Sequence, residues 1–416
     1  MKKRLSIKVL SLVLTLALFV GMLAATGISV IAYSEDTYES AGFNFLRSQY
    51  DMRGMTYDSL IKTDAIDLYS DTDEVVAKML VVDRDGHTDY VVLDFMIDRI
   101  DEFGFDQPTF VQTFREKEHI YYAGLMNYAY YDGDILKDIS GSEIDSEEFF
   151  GMMAAFTTLG EQTPDAKNGY DGFKSWSDVY HQFCTLPDST GYGGGVGSSV
   201  FSYLPGITNN GVASGLTFKS QAELNSAYNS RYNKNVNGTC GPTAMTNMFI
   251  YFKYRGFSNA LISNDVTTTF SNTIIKSDWN NWNDATWWTK SIEGFKGMAT
   301  ATGYEYTMKK YSSASWNDFK TCIVDLKIPM YTYISVNTGT DTFAHVVVAV
   351  GAEEFEHMYT TTEQYWLFGW HEKEVSHTDT YRYIRVIDGW DTSNSARYID
   401  FNGYFTTVKA IGFTLK

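Results

Sequence analysis

Three side chains far apart in the sequence have the types needed for thiol chemistry: Cys240, His345 and Asp388. The cysteine stands in the run Asn237-Gly238-Thr239-Cys240-Gly241-Pro242-Thr243-Ala244-Met245. Pro242 suits the first turn of a helix, where its missing N–H costs nothing. Met245, Phe249 and Phe252 then recur at helical spacing, and Gly256 closes the segment. Cys240 is therefore expected at a helix N-terminus, where free backbone N–H groups and the positive end of the helix dipole favour a thiolate. The same N–H groups can receive a developing oxyanion, and Gly241 leaves room for a substrate carbonyl.

The competing reading of any lone cysteine is a small buried hydrophobe. Cys322 illustrates it: flanked by Phe319, Ile323 and Leu326 on a helical apolar face, it belongs in the core. Cys240 lies instead in a polar Asn/Gly/Thr run. Cys184 falls in the first half of the chain, and three cysteines are too few for a disulfide framework. The triplet Asn237-Gly238-Thr239 also matches a glycosylation acceptor, a pattern common enough by chance to discount.

A nucleophilic cysteine needs a base, and the base needs an orienter. Of the seven His, only His345 opens an unbroken apolar strand, Ala344-His345-Val346-Val347-Val348-Ala349-Val350-Gly351. A strand start stands at a sheet end, where a cleft can form. His357, His371 and His377 lie in a polar insertion, and His87, His119 and His181 in the first half. Asp388 ends the strand-like run Tyr383–Ile387 and precedes Gly389-Trp390. There it can accept from the imidazole and fix its tautomer, although alone it would read as a turn residue.

Helix-like segments carry the cysteine and strand-like segments carry the other two. Gln221–Tyr228, Pro242–Tyr254, Thr289–Thr302 and Trp316–Leu326 read as helices. Pro329–Ser335, Ala344–Ala352, Gln364–Trp370, Thr380–Ile387, Ala396–Phe401, Tyr404–Val408 and Ile411–Leu415 read as strands. Helices grouped before an antiparallel run of strands predict an α+β fold over residues 216–416. Upstream, Val75–Val82 and Asp89–Phe95 form an expected hairpin, with Ile97–Phe105 continuing the meander, Ile120–Tyr131 rich in Tyr, and helices near Phe43–Arg53 and Glu147–Phe156. The group Asp83-x-Asp85-Gly86 resembles half of a calcium loop, but the later ligands and closing Glu are missing, so a hairpin turn is the better reading.

Charge divides the 416-residue chain in the same way. Residues 1–32 carry four bases and no acid; residues 33–190 carry 32 acids against 11 bases; residues 191–416 are nearly balanced, with 19 acids and 18 bases. Eight of nine Trp follow residue 191. Lys2, Lys3 and Arg4, the apolar run Val9–Leu23 and the stop Val30-Ile31-Ala32 read as a cleaved export signal over 1–32, with no lipid-attachment Cys after it. A mature protein outside the cell and off the membrane is expected. The overall charge of −18 argues against nucleic acid and anionic membranes as partners. Five glycines within Gly191–Gly197 mark residues 191–215 as a flexible linker between an acidic α+β domain, 33–190, and the neutral one.

The order of Cys at a helix start, His opening a strand and an acid just before Trp resembles the papain-like cysteine peptidases. Asp388-Gly389-Trp390 is similar to their Asn-Ser-Trp, in which the Trp shields the His–Asn bond, a role the resemblance gives to Trp390. The run Cys240-Gly241-Pro242-Thr243-Ala244 looks most like the bacterial branch related to bacteriocin-leader peptidases and, more distantly, streptopain. The match covers residues 220–416. It implies Cys240 as nucleophile, His345 as base, Asp388 as orienter, and no metal or organic cofactor. The chain departs from that pattern twice. The family places a Gln a few residues before the nucleophile as oxyanion donor, whereas here the nearby amides are Asn233, Asn235 and Asn237, of which Asn235 and Asn237 are the candidates. The 43 positions between His345 and Asp388 imply an inserted hairpin over Tyr359–Thr380.

The acidic half is similar in size, position and strand pattern to the pro-segment of streptopain-type peptidases. That resemblance implies a precursor whose acidic part acts in cis on the catalytic domain and is removed by cutting within about Gly191–Gly215. The expected function is a secreted bacterial cysteine peptidase acting on peptide or protein substrates through a thioester. Two other readings stand beside it. One is a cell-wall peptide hydrolase or amidase of the same fold; the other is a non-catalytic surface binding protein.

Overall fold

The computed structural model describes residues 35–95, 99–153 apart from 125, 148 and 152, 195–279 apart from 210 and 237, 287–337, 342–366, 370–390, 396–401 and 407–416. The expected export segment, Cys184, Gly191–Gly194 and Asn237 lie outside these residues. The described residues form an α+β fold around one large, mostly antiparallel sheet.

The first half opens with helix α1, Glu35–Arg53, followed by the meander β1 (Leu60–Tyr69), β2 (Val75–Arg84), β3 (His87–Asp94) and β4 (Arg99–Phe105). The β2–β3 hairpin turns at Asp85 and Gly86, both with positive φ. The Asp85 carboxylate there accepts the N–H groups of Asp58 and Ser59, a turn device that ties down the preceding loop. Helix α2, Pro108–Arg115, and the short strands β5 (Tyr121–Tyr122), β6 (Tyr128–Asp132) and β7 (Ile135–Asp138) complete this half. The described residues between 146 and 153 are helical, in line with the segment expected near Glu147–Phe156.

The second half supplies β8 (Gly195–Tyr203), the two-residue strands β9 (Ile207–Thr208) and β10 (Gly211–Val212), then helices α3 (Gln221–Tyr232), α4 (Cys240–Tyr254), α5 (Val266–Lys276) and α6 (Trp287–Thr302). Strand β11 (Tyr306–Tyr311), which the sequence reading does not anticipate, precedes the short helix α7 (Trp316–Phe319), which runs on into a π turn over Lys320–Asp325. Then come β12 (Met330–Asn337), β13 (Thr342–Trp366), β14 (Trp370–Ile387), β15 (Ala396–Asp400) and β16 (Thr407–Leu415). The insertion expected over Tyr359–Thr380 is an extension of β13 and β14, paired from Val348↔Ile387 out to Trp366↔Trp370. The segment Gln364–Trp370 is therefore not a separate strand but the end of that hairpin.

Two expectations about organisation change. The glycine-rich stretch from Gly195 onward is a strand, not a flexible linker, pairing with β13 from Gly351↔Tyr203 to Met358↔Gly195. A backbone ladder needs only N–H and C=O groups, and Phe201 and Tyr203 add strand-favouring side chains. Leu204 and Ile207 beyond it are buried, so a cut after residue 195 would fall in packed structure. The two halves also share one sheet, in the order β11-β16-β12-β13-β14-β15-β4-β3-β2-β1-β5-β6-β7, with β8 on β13. The seam is β15 against β4, with Arg397 opposite Gly104 and Tyr398 opposite Phe103. Gly104 is needed there: a Cβ would lie 2.5 Å from the Tyr90 ring.

Packing continues across the seam. Phe45, Leu46 and Tyr50 of α1 form one cluster with Phe103, Phe105, Phe355, Tyr381, Tyr383 and Tyr398. The rings of Phe103 and Tyr398 stack at 4.8 Å. Arg53 at the end of α1 is buried against Glu353 of β13, which also accepts the Tyr203 hydroxyl. A second core packs Met245, Met248, Phe249 and Phe252 of α4 on β12, β13 and β16. Of the described helices, none is long and apolar enough to cross a membrane.

The seam concentrates buried acids. Burial raises the carboxyls of Asp101, Glu102 and Glu353, and for Asp101 the neighbouring Asp94 and Asp400 raise it further. A folded value above the unfolded one means that the stability from these groups is fully present below the unfolded value and is lost as pH rises through the folded one. The melting temperature is therefore expected to fall as pH rises from about 6.5 to about 8, above the range in which a histidine buried in neutral form works the other way. Thermal melts across that window test this; a rising or flat profile would contradict it.

Candidate functional site

The site lies where the start of α4 meets β13 and the loop after β14. Helix α4 begins at Cys240 itself, and its N-cap residue, Thr239, makes no side-chain cap. The Thr239 hydroxyl donates instead to Asn225 Oδ1 at 2.6 Å, so no side chain competes for the first N–H groups. The backbone N–H groups of Val346, Gly241 and Cys240 favour the thiolate, but desolvation is larger and pushes the thiol up to about 11. The Val346 contact puts the sulfur next to the residue that follows His345 in β13. Cys240 keeps partial exposure, whereas Cys322 is buried in the core as expected.

His345 is 7% exposed and stacks on Trp390 with ring centroids 4.5 Å apart. Its Nε2 lies 3.1 Å from the backbone oxygen of Asp388. A carbonyl can only accept, so Nε2 carries the proton and the other nitrogen, Nδ1, is the basic one in the neutral ring. Burial first, and the Arg397 charge second, lower the imidazole to about 3. Both shifts favour the neutral form of the group concerned, thiol and imidazole alike.

His345, Asp388 and Trp390 thus come together, but the Asp388 carboxylate does not face the imidazole. Its Oδ1 accepts the Trp390 N–H at 3.0 Å, and Oδ2 pairs with Arg397. Orientation of the ring passes to the Asp388 carbonyl. Gly389 makes this geometry possible: its φ is +79°, and a Cβ would lie 2.8 Å from Thr243 in the first turn of α4.

Of the two amides expected at the oxyanion position, the one described, Asn235, is not held there. Asn235 is exposed, with its Oδ1 accepting from Asn229 at 3.4 Å, and Asn237 lies outside the described residues. The amide at the cleft is Gln221, in the first turn of α3 and 19 positions before Cys240. Its backbone N–H donates to Gly389 O at 2.6 Å. Its side-chain Nε2 donates to Ser142 Oγ at 3.0 Å and Ser140 Oγ at 3.3 Å. A search confined to the residues just before the cysteine misses it; its signal is an amide at the N-terminus of the preceding helix.

Those serines belong to the acidic half. The turn after β7 folds on Asp138, whose carboxylate accepts from Ser140 N, Ser140 Oγ and Ser142 N at 2.9, 2.6 and 2.9 Å. It sits close enough to Cys240 for the Asp138 charge to raise the thiol further. Trp390 packs against Tyr128 of the same half, with centroids 6.2 Å apart. The turn of the acidic half thus packs on the first turn of α3, beside Cys240. Comparison of the chain with family models, with curated proteins and with solved structures finds no match.

Proposed function

We propose that this chain is the precursor of a secreted cysteine peptidase of papain-like type, held latent by its own acidic half. Cys240 sulfur adds to the scissile carbonyl carbon while its proton passes to His345 Nδ1. The imidazolium then gives that proton to the departing amine as the C–N bond breaks, leaving a thioester. Water, deprotonated by His345, releases the acid and restores the thiol. The Asp388 carbonyl holds the ring under Trp390, and the Cys240 N–H with the Gln221 amide receives the oxyanion.

One observation supports this reading above the others. His345 has its Nε2–H fixed on a carbonyl beneath an indole, beside an uncapped helix start that carries a cysteine. A structural histidine needs no such shielding, and a binding surface needs no such tautomer. Latency is supported by the Ser140–Ser142 contact with Gln221, which engages the amide that a substrate oxyanion would need.

The test is hydrolysis of unfolded protein and of peptidoglycan peptides by the chain after its acidic half has been removed. Turnover of the first and not the second is the expected result, and the reverse assigns a cell-wall peptide hydrolase. No turnover of either sinks the enzyme reading. In the same assay Gln221→Ala should lower kcat by about 10²-fold, the usual cost of one oxyanion donor, with KM little changed. An unchanged kcat would remove Gln221 from the mechanism.

A further inference from the structure

Arg397 is a buried guanidinium, 3% exposed, projecting from β15 at the seam. One side of it pairs with Asp388 Oδ2. On the other, Nη2 donates to Gln107 Oε1 at 3.3 Å, and the Glu102 carboxyl lies within its field. Its Cζ stands 3.7 Å from the Phe110 ring centroid and 5.7 Å from that of Trp390, so the cation is held between an aromatic face of the acidic half and the indole that covers His345. The Tyr90 ring stands 6.0 Å away and Tyr128 also lies within the cation's field, so apart from Asp388 and Trp390 these neighbours all come from the acidic half.

Two consequences follow for the imidazole. With both oxygens of the Asp388 carboxylate engaged, one by Trp390 N–H and one by Arg397, only the Asp388 carbonyl is left to accept Nε2–H. A carbonyl stabilises an imidazolium less than a carboxylate does, because it carries no net charge. The guanidinium charge also opposes a second positive charge on the ring.

We propose that Arg397 is the positioning residue of the site: seated by the acidic half, it draws the Asp388 carboxylate away from His345 and leaves the ring on the Asp388 carbonyl. Latency then has two parts, a turn that engages Gln221 and a cation that withholds the carboxylate from the imidazole. This rests on the peptidase reading only in taking Cys240 and His345 as a working pair, and its test requires no turnover.

The test uses the full chain and the rate of Cys240 alkylation by iodoacetamide between pH 4 and 10, read by peptide mass spectrometry against Cys322. The wild type should show a single rise at alkaline pH. Arg397→Gln removes the charge and returns the Asp388 carboxylate to the ring, each change worth about one to three pH units; together they should add a reactive limb below pH 7, with the rate at pH 6 raised about tenfold or more. Arg397→Lys keeps the charge and should stay near the wild-type profile. The new limb should vanish in Arg397→Gln/His345→Gln.

A low-pH limb already present in the wild type and dependent on His345 would overturn the inference while leaving the peptidase reading intact. So would an Arg397→Gln profile that superimposes on the wild type, even if the melting temperature falls. A limb that survives loss of His345 would overturn both. Because removing Arg397 leaves a buried carboxylate without its partner and can prevent folding, an NMR titration of the His345 ring in the wild type is the second measurement. The same titration in Gln107→Leu, where the guanidinium loses its anchor in the acidic half, decides: a ring that protonates at higher pH than in the wild type supports the inference, and equal titrations, which burial alone predicts, or a wild-type value near the ordinary value of about 6.5 overturn it.

Discussion

If the proposed mechanism holds, Cys240→Ala should leave the chain freed of its acidic half without measurable peptide hydrolysis, a loss on the order of 10⁵–10⁶-fold, as when hydrolases lose their nucleophile. The melting temperature should hardly change. Cys240 stands at the helix start with part of its surface exposed, so the lost sulfur opens no large core cavity. Cys322→Ala provides the contrast. That residue is fully buried beneath β16, in contact distance of Gly412, and its truncation should destabilise by about 1 kcal/mol with kcat unaffected. If Cys240→Ala retained hydrolysis, or if both variants lost it equally, the mechanism would be wrong at its first step.

Release of the acidic half should raise turnover of the wild type by on the order of 10²–10³-fold, because freeing Gln221 alone returns one oxyanion donor. A cut in the connection between residues 154 and 194 should not be enough. The β4–β15 ladder, the Phe103–Tyr398 stack and the buried Arg53–Glu353 pair remain to hold the two pieces together. The nicked chain is therefore expected to elute as one particle and stay latent, becoming active only when residues 35–153 are digested or dissociated away. Gel filtration and peptide hydrolysis on intact, nicked and stripped samples decide this. An intact chain as active as the stripped one would end the precursor reading.

What the sequence disclosed was mostly local. Pro242 and the Met245–Phe249–Phe252 spacing were enough to put Cys240 at a helix start, and the apolar run after His345 was enough to make it a strand residue. The Asp85-Gly86 turn was legible because φ above zero selects for such residues. What escaped was set by distant partners. Ala396–Asp400 has no pattern that names β4 as its neighbour, and the glycines after residue 194 signal freedom unless the edge of β13 is known to be waiting. Gln221 and Arg397 escaped for the same reason: the contact that singles each out comes from a group more than 75 residues away in the sequence, Ser142 for one and Gln107 for the other. Asp388 was found, but its carboxylate and carbonyl could not be told apart without Arg397.

The continuous sheet also constrains the order in which the chain can be assembled. Strand β15 completes itself on β4, with Ile399 opposite Glu102, so a ladder near the end of the chain closes a loop of nearly 300 residues. Contacts of such sequence separation form slowly, because loop closure must be paid before pairing rewards it. During synthesis the meander β1–β4 emerges first and can present a finished edge, with Phe103 and Phe105 already packed under α1. The acidic half would then serve as the template against which the last strands register. A second half refolded alone should reach its native state far more slowly than the whole chain, and adding residues 35–153 should restore the rate.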